Sequence, residues 1–214
     1  MSRIKIITGH FGSGKTEIAV NMAAEKKGVT IVDFDTVNPY FRTADAAEML
    51  RKSGARVILP EFANTNIDMP TLPAEIYSVF QNDGEVIFDV GGDDDGAIAL
   101  GMFNRYFLES SYEMYLVVNA SRPFTKTEDD VIYMMHSIEN ASRLKVTHLI
   151  NNTHLAQYTK KEDIEKGQAL CEKVSKKTDI PIAYTAVRRD IVPIVSDIID
   201  NPILALDLYI NLPF

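Results

Sequence analysis

Residues 9 to 16 read Gly9-His10-Phe11-Gly12-Ser13-Gly14-Lys15-Thr16, which satisfies G-x-x-x-x-G-K-[ST] without substitution. Glycines let a backbone curl until successive N–H groups face one centre, which makes a nest for an anion at a helix N-terminus. A lysine adds a point charge for β- and γ-phosphates, and a threonine hydroxyl is a ligand for Mg2+. The candidate polyphosphate cradle is therefore Gly9, Phe11, Gly12, Ser13, Gly14, Lys15, Thr16 and Glu17, with Lys15 as its charged, catalytic group. The context agrees: the apolar run Ile4 to Thr8 leads in, and Ile18, Val20, Met22 and Ala23 follow at helical spacing.

Two further sets of acidic residues end apolar runs. Ile31-Val32-Asp33-Phe34-Asp35 closes a second predicted strand, and Val86-Ile87-Phe88-Asp89-Val90-Gly91-Gly92 closes a later one. Ligands of open parallel sheets sit beyond the carboxyl ends of the strands, so these carboxylates are expected beside the glycine-rich loop. Asp33 or Asp35 would hold an attacking water, and the residues alone leave the choice open. Thr16, Asp35 and Asp89 are the expected Mg2+ ligands, and the Gly91 or Gly92 N–H would approach a γ-phosphate. Of the following Asp93, Asp94 and Asp95, the last two suit a helix cap and the first the metal shell.

The run Val146 to Ile150 ends in Asn151-Asn152-Thr153-His154. Guanine-specific relatives of such loops place N/T-K-x-D there, and both the lysine and the aspartate are missing, which favours ATP over GTP. Asn151 has the donor and acceptor an adenine edge needs, and Arg188 a plane to stack on a base. A turn residue and a surface ion pair are the plainer readings of those two. His136, His148 and His154 lack metal-ligand spacing and read as structural, leaving His10 as the histidine nearest the chemistry.

The elements that must position these groups alternate. Strands are expected at 4–8, 30–34, 56–59, 85–90, 113–118, 146–150 and 182–185. Helices are expected at 15–25, 43–52, 74–81, 97–109, 126–140, 161–177 and 203–210. This is the pattern of an α/β, three-layer fold with a mostly parallel sheet of about seven strands and helices on both faces. The stretch Pro60 to Pro73 is irregular, and its Glu61, Asn64 and Asn66 suit a substrate pocket. At 214 residues, with 46% apolar and 24% charged content, one domain spanning 1–214 is expected. The net charge of -8 disfavours a nucleic-acid partner, because the lysines from Lys160 to Lys177 are interleaved with acids. The single cysteine, Cys171, excludes an intrachain disulfide. With no signal-like start and no apolar run near ~20 residues, no membrane contact and a cytoplasmic location are expected.

A phosphate loop on strand one, Asp-x-Asp ending strand two, Asp-x-x-Gly on a later strand and Asn ending the sixth together resemble the MinD/ParA-like ATPases. These belong to the SIMIBI class of P-loop NTPases, which also holds the CobQ/CobB amidoligases and dethiobiotin synthetase. The segment Ile180-Pro181 to Asn201-Pro202-Ile203 resembles that group's closing pattern around the base. Such proteins carry an early loop lysine that completes a dimer; His10 stands there, so a homodimer is left open rather than implied. The paired cysteines of the iron–sulfur carriers and a basic C-terminal amphipathic helix are absent. The resemblance implies a slow Mg2+-dependent ATPase that switches with its nucleotide, with Asp33 to Arg42 and Asp89 to Asp95 as switch regions and an unidentified protein or small-molecule client. The alternatives are an ATP-dependent small-molecule ligase or kinase, and a module that binds nucleotide without turnover.

Overall fold

The computed structural model describes residues 2–35, 43–60 and 74–210. Eight parallel strands form one sheet: β1 (Ile4–Gly9), β2 (Thr30–Phe34), β3 (Arg56–Ile58), β4 (Val86–Val90), β5 (Tyr112–Val118), β6 (His148–Asn151), β7 (Ile182–Arg188) and β8 (Ile203–Leu206). Their order is β3-β2-β4-β1-β5-β6-β7-β8. The central strands are buried at every position, as β1 and β4 show, because helices cover both of their faces. The chain runs outward in opposite directions from β1, so the order reverses there and opens a crevice beyond its carboxyl end.

On one face α1 (Lys15–Ala24) and α2 (Thr43–Lys52) pack on Ile7, Ile31, Ile87 and Val117. On the other face lie α3 (Ile76–Gln81), α4 (Asp93–Met102), α5 (Asn104–Ser110), α6 (Glu128–Ser142) and α7 (Lys161–Thr178). They cover Ile6, Phe34, Phe88, Leu116 and Leu149. A short α8 (Val192–Val195) precedes the last strand. Thr127 starts α6 with a capping box: its side chain accepts the Asp130 N–H while Asp130 accepts the Thr127 N–H. Cys171 is buried in α7, and burial raises its thiol pKa to about 12.

Two expectations are corrected. The segment expected as a helix at 203–210 begins with strand β8, paired with β7 from Thr185↔Ile203 to Arg188↔Leu206. Its short apolar run fits either period, and an open sheet edge decides between them. The single helix expected at 97–109 starts earlier and is two helices, broken at Phe103 with φ -104° and ψ 8°. At the break the Phe103 ring packs against Phe34, Phe80 and Tyr77. The irregular stretch expected over Pro60 to Pro73 lies, from residue 61 on, outside the described residues. So does most of the first expected switch region.

Candidate functional site

The glycine-rich loop joins β1 to α1. Gly9 has φ +146°, and a Cβ there would stand 2.5 Å from the Val117 carbonyl oxygen of β5. Gly14, with φ +87°, is the N-cap of α1 and brings no capping side chain to the first-turn N–H groups. A Cβ at Gly14 would meet the Asn152 amide at 2.3 Å. The Ser13 N–H closes the turn on the His10 carbonyl at 3.1 Å, and Lys15 Nζ donates to the same oxygen at 3.1 Å.

Side chains from the next loops grip this turn from outside. Arg122, after β5, donates through Nε to the Gly12 carbonyl at 2.9 Å. Asn152, after β6, donates through Nδ2 to the Ser13 carbonyl at 2.7 Å. In a trans peptide the C=O and the following N–H point opposite ways, so the Asn152 bond turns the Gly14 N–H away from Asn152. The orientation of the Gly14 N–H is thus fixed by a residue more than a hundred positions away.

Beyond the loop lie the carboxylates. Asp33 and Asp89 are register neighbours on β2 and β4 and are 3% and 4% exposed. Burial first, and then the Asp89 charge, push the Asp33 carboxyl pKa well above the ordinary value. Asp33 Oδ1 accepts the Asp35 N–H at 3.0 Å. A Cβ at Gly91 would approach Asp35 Oδ1 at 2.8 Å, and one at Gly92 would meet the Phe11 backbone at 3.0 Å. The two glycines therefore let the β4 end close on Asp35 and on the phosphate loop.

A cavity of about 740 Å³ joins these parts. Phe11, Gly12, Gly14, Lys15, Thr16, Asp35, Asp89 and Gly92 line one end, while Glu17, expected in the phosphate cradle, turns its carboxylate to the Tyr209 and Ile210 N–H groups. Ile164, Ala186, Val187, Ile191, Leu206, Leu208 and Ile210 line the other, with Asn152, His154, Gln157 and Arg188 on the wall. Of the Asp33/Asp35 pair, Asp35 lines the cavity and Asp33 stands behind it. Among the described residues no three His, Cys, Asp or Glu side chains form a ready metal cage. That donor set suits Mg2+, which takes one or two carboxylates and otherwise water and phosphate oxygens. Thr16, Asp35 and Asp89, all lining the cavity, would hold it.

Several expected contacts fall elsewhere. Asn151 is buried, with Oδ1 accepting the Thr153 N–H at 3.1 Å and Nδ2 donating to the Ile164 carbonyl at 3.4 Å, so its amide serves the turn and Asn152 faces the cavity. The Gly91 N–H is directed to the Phe34 carbonyl at 3.5 Å, continuing the sheet, and it is Gly92 that abuts the loop. Arg188 forks onto Asp190, with Nη2 to Oδ2 at 2.8 Å, while still lining the cavity. His154, read as structural, lines the cavity beside Gly14. Its Nδ1 accepts the Ala156 N–H at 3.2 Å, which leaves the ring proton on Nε2. Burial, aided by Arg122, holds its pKa down at about 4. The sequence reading missed Arg122 and Asn152; both follow strand ends, and the rule that placed Asp33 and Asp89 would have flagged them.

Glycine loop, acidic strand ends and strand order together make a three-layer α/β fold with a P-loop at the end of its first strand. Solved structures of the same fold include FtsY proteins. The cell division protein FtsY of Thermotoga maritima has 19% identity and a TM-score of 0.54 over 87% of this chain. The chloroplast FtsY of Physcomitrella patens has 17% identity and a TM-score of 0.57 over 86%. The signal recognition particle receptor FtsY of Elizabethkingia anophelis, in complex with GDP, has 18% identity and a TM-score of 0.55 over 87%. The chain spans 62%, 57% and 58% of their respective lengths. At these identities the likeness is one of fold. No protein-family model and no curated protein matches the sequence. No described helix is long and apolar enough to cross a membrane.

Proposed function

We propose that this protein binds Mg2+–ATP and hydrolyses it slowly, as a switch that reports which nucleotide it holds. The observation that carries the reading is one continuous cavity with the Lys15–Thr16 loop and the Asp35 and Asp89 carboxylates at one end and an aliphatic wall at the other. Lys15 and the loop amides bind the β- and γ-phosphates, and a bound Mg2+ supplies charge neutralisation between them. Asp35 orients the attacking water; its oxygen bonds to the γ-phosphorus, the β–γ bridging bond breaks, and ADP, phosphate and the water's proton leave. The fold's occurrence with GDP in the Elizabethkingia structure supports a nucleotide in this crevice.

Adenine is favoured over guanine for a chemical reason. Guanine recognition needs an acceptor for N1–H and N2–H, and the carboxylate beside the aliphatic wall, that of Glu17, already accepts the Tyr209 and Ile210 N–H groups. Among the described lining residues the other carboxylates are Asp35 and Asp89, beside the glycine-rich loop. The nucleotide state would be read where Gly92 meets Phe11, because movement of the loop at Phe11 displaces the start of α4.

The test is Mg2+-dependent phosphate release together with calorimetric titration of ATP and GTP. Lys15→Ala is expected to lower turnover at least about a hundredfold, as loss of a transition-state charge contact does. Equal release by both proteins removes the enzymatic reading, and tighter binding of GTP than ATP removes the base assignment.

A further inference from the structure

The C-terminal side of β8 does not end at the sheet edge. Residues 207–210 cross to α1 and are held there by two side chains one helical turn apart. Asn21 bonds both backbone polar groups of one residue: Nδ2 donates to the Asp207 carbonyl at 2.9 Å, and Oδ1 accepts the Asp207 N–H at 2.8 Å. Glu17 accepts the Tyr209 N–H through Oε1 at 2.7 Å and the Ile210 N–H through Oε2 at 3.3 Å. Arg189 clamps the Asp207 carboxylate through Nε and Nη2, both at 2.8 Å. In this way a segment beside the sheet edge satisfies its backbone on helix side chains, much as a strand would on a neighbour.

The position of the segment gives these bonds a use. Leu208 and Ile210 line the cavity at its aliphatic end, and Leu208, 64% exposed, presents its side chain to whatever enters there. Helix α1 therefore touches both ends of the cavity. Lys15 and Thr16 line the phosphate end, and Glu17 and Asn21 hold the far wall.

We propose that residues 207–210 are the wall against which the purine packs, and that Glu17 and Asn21 are positioning residues that set affinity for the base without setting affinity for the phosphates. The inference rests on the nucleotide reading above. A base stacked on Leu208 and Ile210 gains apolar burial only while the segment stays docked. Undocking removes that surface and leaves the loop and its lysine intact.

The experiment compares Mg2+–ATP with Mg2+–tripolyphosphate, which has three phosphates and neither base nor sugar, by calorimetry. The proteins are wild type, Asn21→Ala and Leu208→Ala. Both variants are expected to bind ATP about fivefold to tenfold more weakly, the loss anticipated for two hydrogen bonds or part of one apolar contact, with tripolyphosphate affinity unchanged. Amide exchange at Tyr209 and Ile210 in the wild type is expected to slow with ATP and not with tripolyphosphate. Parallel loss for both ligands, or no loss for either, overturns the proposal. If Asn21→Ala fails to fold, Leu208→Ala decides alone, since its side chain is largely solvent-exposed. Wild type that binds neither ligand sinks the nucleotide reading itself. Wild type that binds both equally well keeps the phosphate site and sinks only the wall.

Discussion

Gly167 lies in the interior of α7, where a glycine is normally a weakness. Replacing it by alanine should stabilise a helix by about 1 kcal/mol from backbone entropy alone. The structure argues for the opposite sign. A Cβ at Gly167 would stand 2.1 Å from Thr153 Oγ1 and 2.4 Å from Asn151 Oδ1. Neither atom is the end of a flexible chain. Thr153 Oγ1 accepts the Ala120 N–H at 3.0 Å, Asn151 Oδ1 accepts the Thr153 N–H at 3.1 Å, and both residues are buried. Overpacking costs about 1–3 kcal/mol, and a buried group pushed off its partner about as much again. After the helix gain is subtracted, Gly167→Ala is expected to destabilise by roughly 1–5 kcal/mol, which for a domain of this size lowers Tm by about 2–20 °C. The same displacement moves Asn152, so nucleotide affinity should fall with stability. Thermal unfolding with and without Mg2+–ATP reads both. A Gly167→Ala protein that melts at or above the wild-type temperature and binds ATP normally would refute the packing argument.

Two predictions concern pH. Asp33 has a raised pKa in the folded protein, so the ligand-free protein loses stability as pH rises from the unfolded carboxylate range through the folded value. Asp33→Asn keeps the oxygen that accepts the Asp35 N–H and removes the charge; its Tm should exceed wild type at pH 7 and match it at pH 4. A lower Tm at pH 7 would count against the charge crowding. His154 runs the other way. Its folded pKa of about 4 lies below the ordinary 6.5, so stability falls as pH drops from 6.5 toward 4 and levels off below. The loss is at most roughly 3 kcal/mol, and His154→Asn should flatten that limb in urea unfolding; an unchanged limb would place the acid sensitivity elsewhere.

What the sequence disclosed follows from how local each feature is. The loop from Gly9 to Thr16 was legible because its specification is a spacing and two backbone conformations that only glycine adopts freely. Central strands were legible because Val86-Ile87-Phe88 and Tyr115-Leu116-Val117-Val118 are apolar at every position. Strand β8 was not, since four apolar residues fit a helix turn as well as a strand and only the exposed edge of β7 selects between them. The choice between Asn151 and Asn152 turned on which way a strand end rotates, which composition does not encode. The far wall of the cavity was invisible for a stronger reason: the Glu17–Tyr209 contact joins residues 192 positions apart.

The glycine loop owes its shape to its neighbours as well as to its own residues. Read as a motif, it is self-sufficient: glycines permit the curl and lysine supplies the charge. The bonds around it argue that the curl is held from outside. Arg122 fixes the Gly12 carbonyl, Asn152 fixes the Ser13 carbonyl, and Thr153 ties the Asn152 loop to Ala120 after β5. A glycine loop without such anchors would spend conformational entropy on each binding event, because its freedom to adopt the nest is also freedom to leave it. Anchoring from β5 and β6 removes that cost beforehand and makes amide direction a property of the sheet. Glycine composition therefore specifies that a nest can form, and the strand ends beside it specify that it has formed.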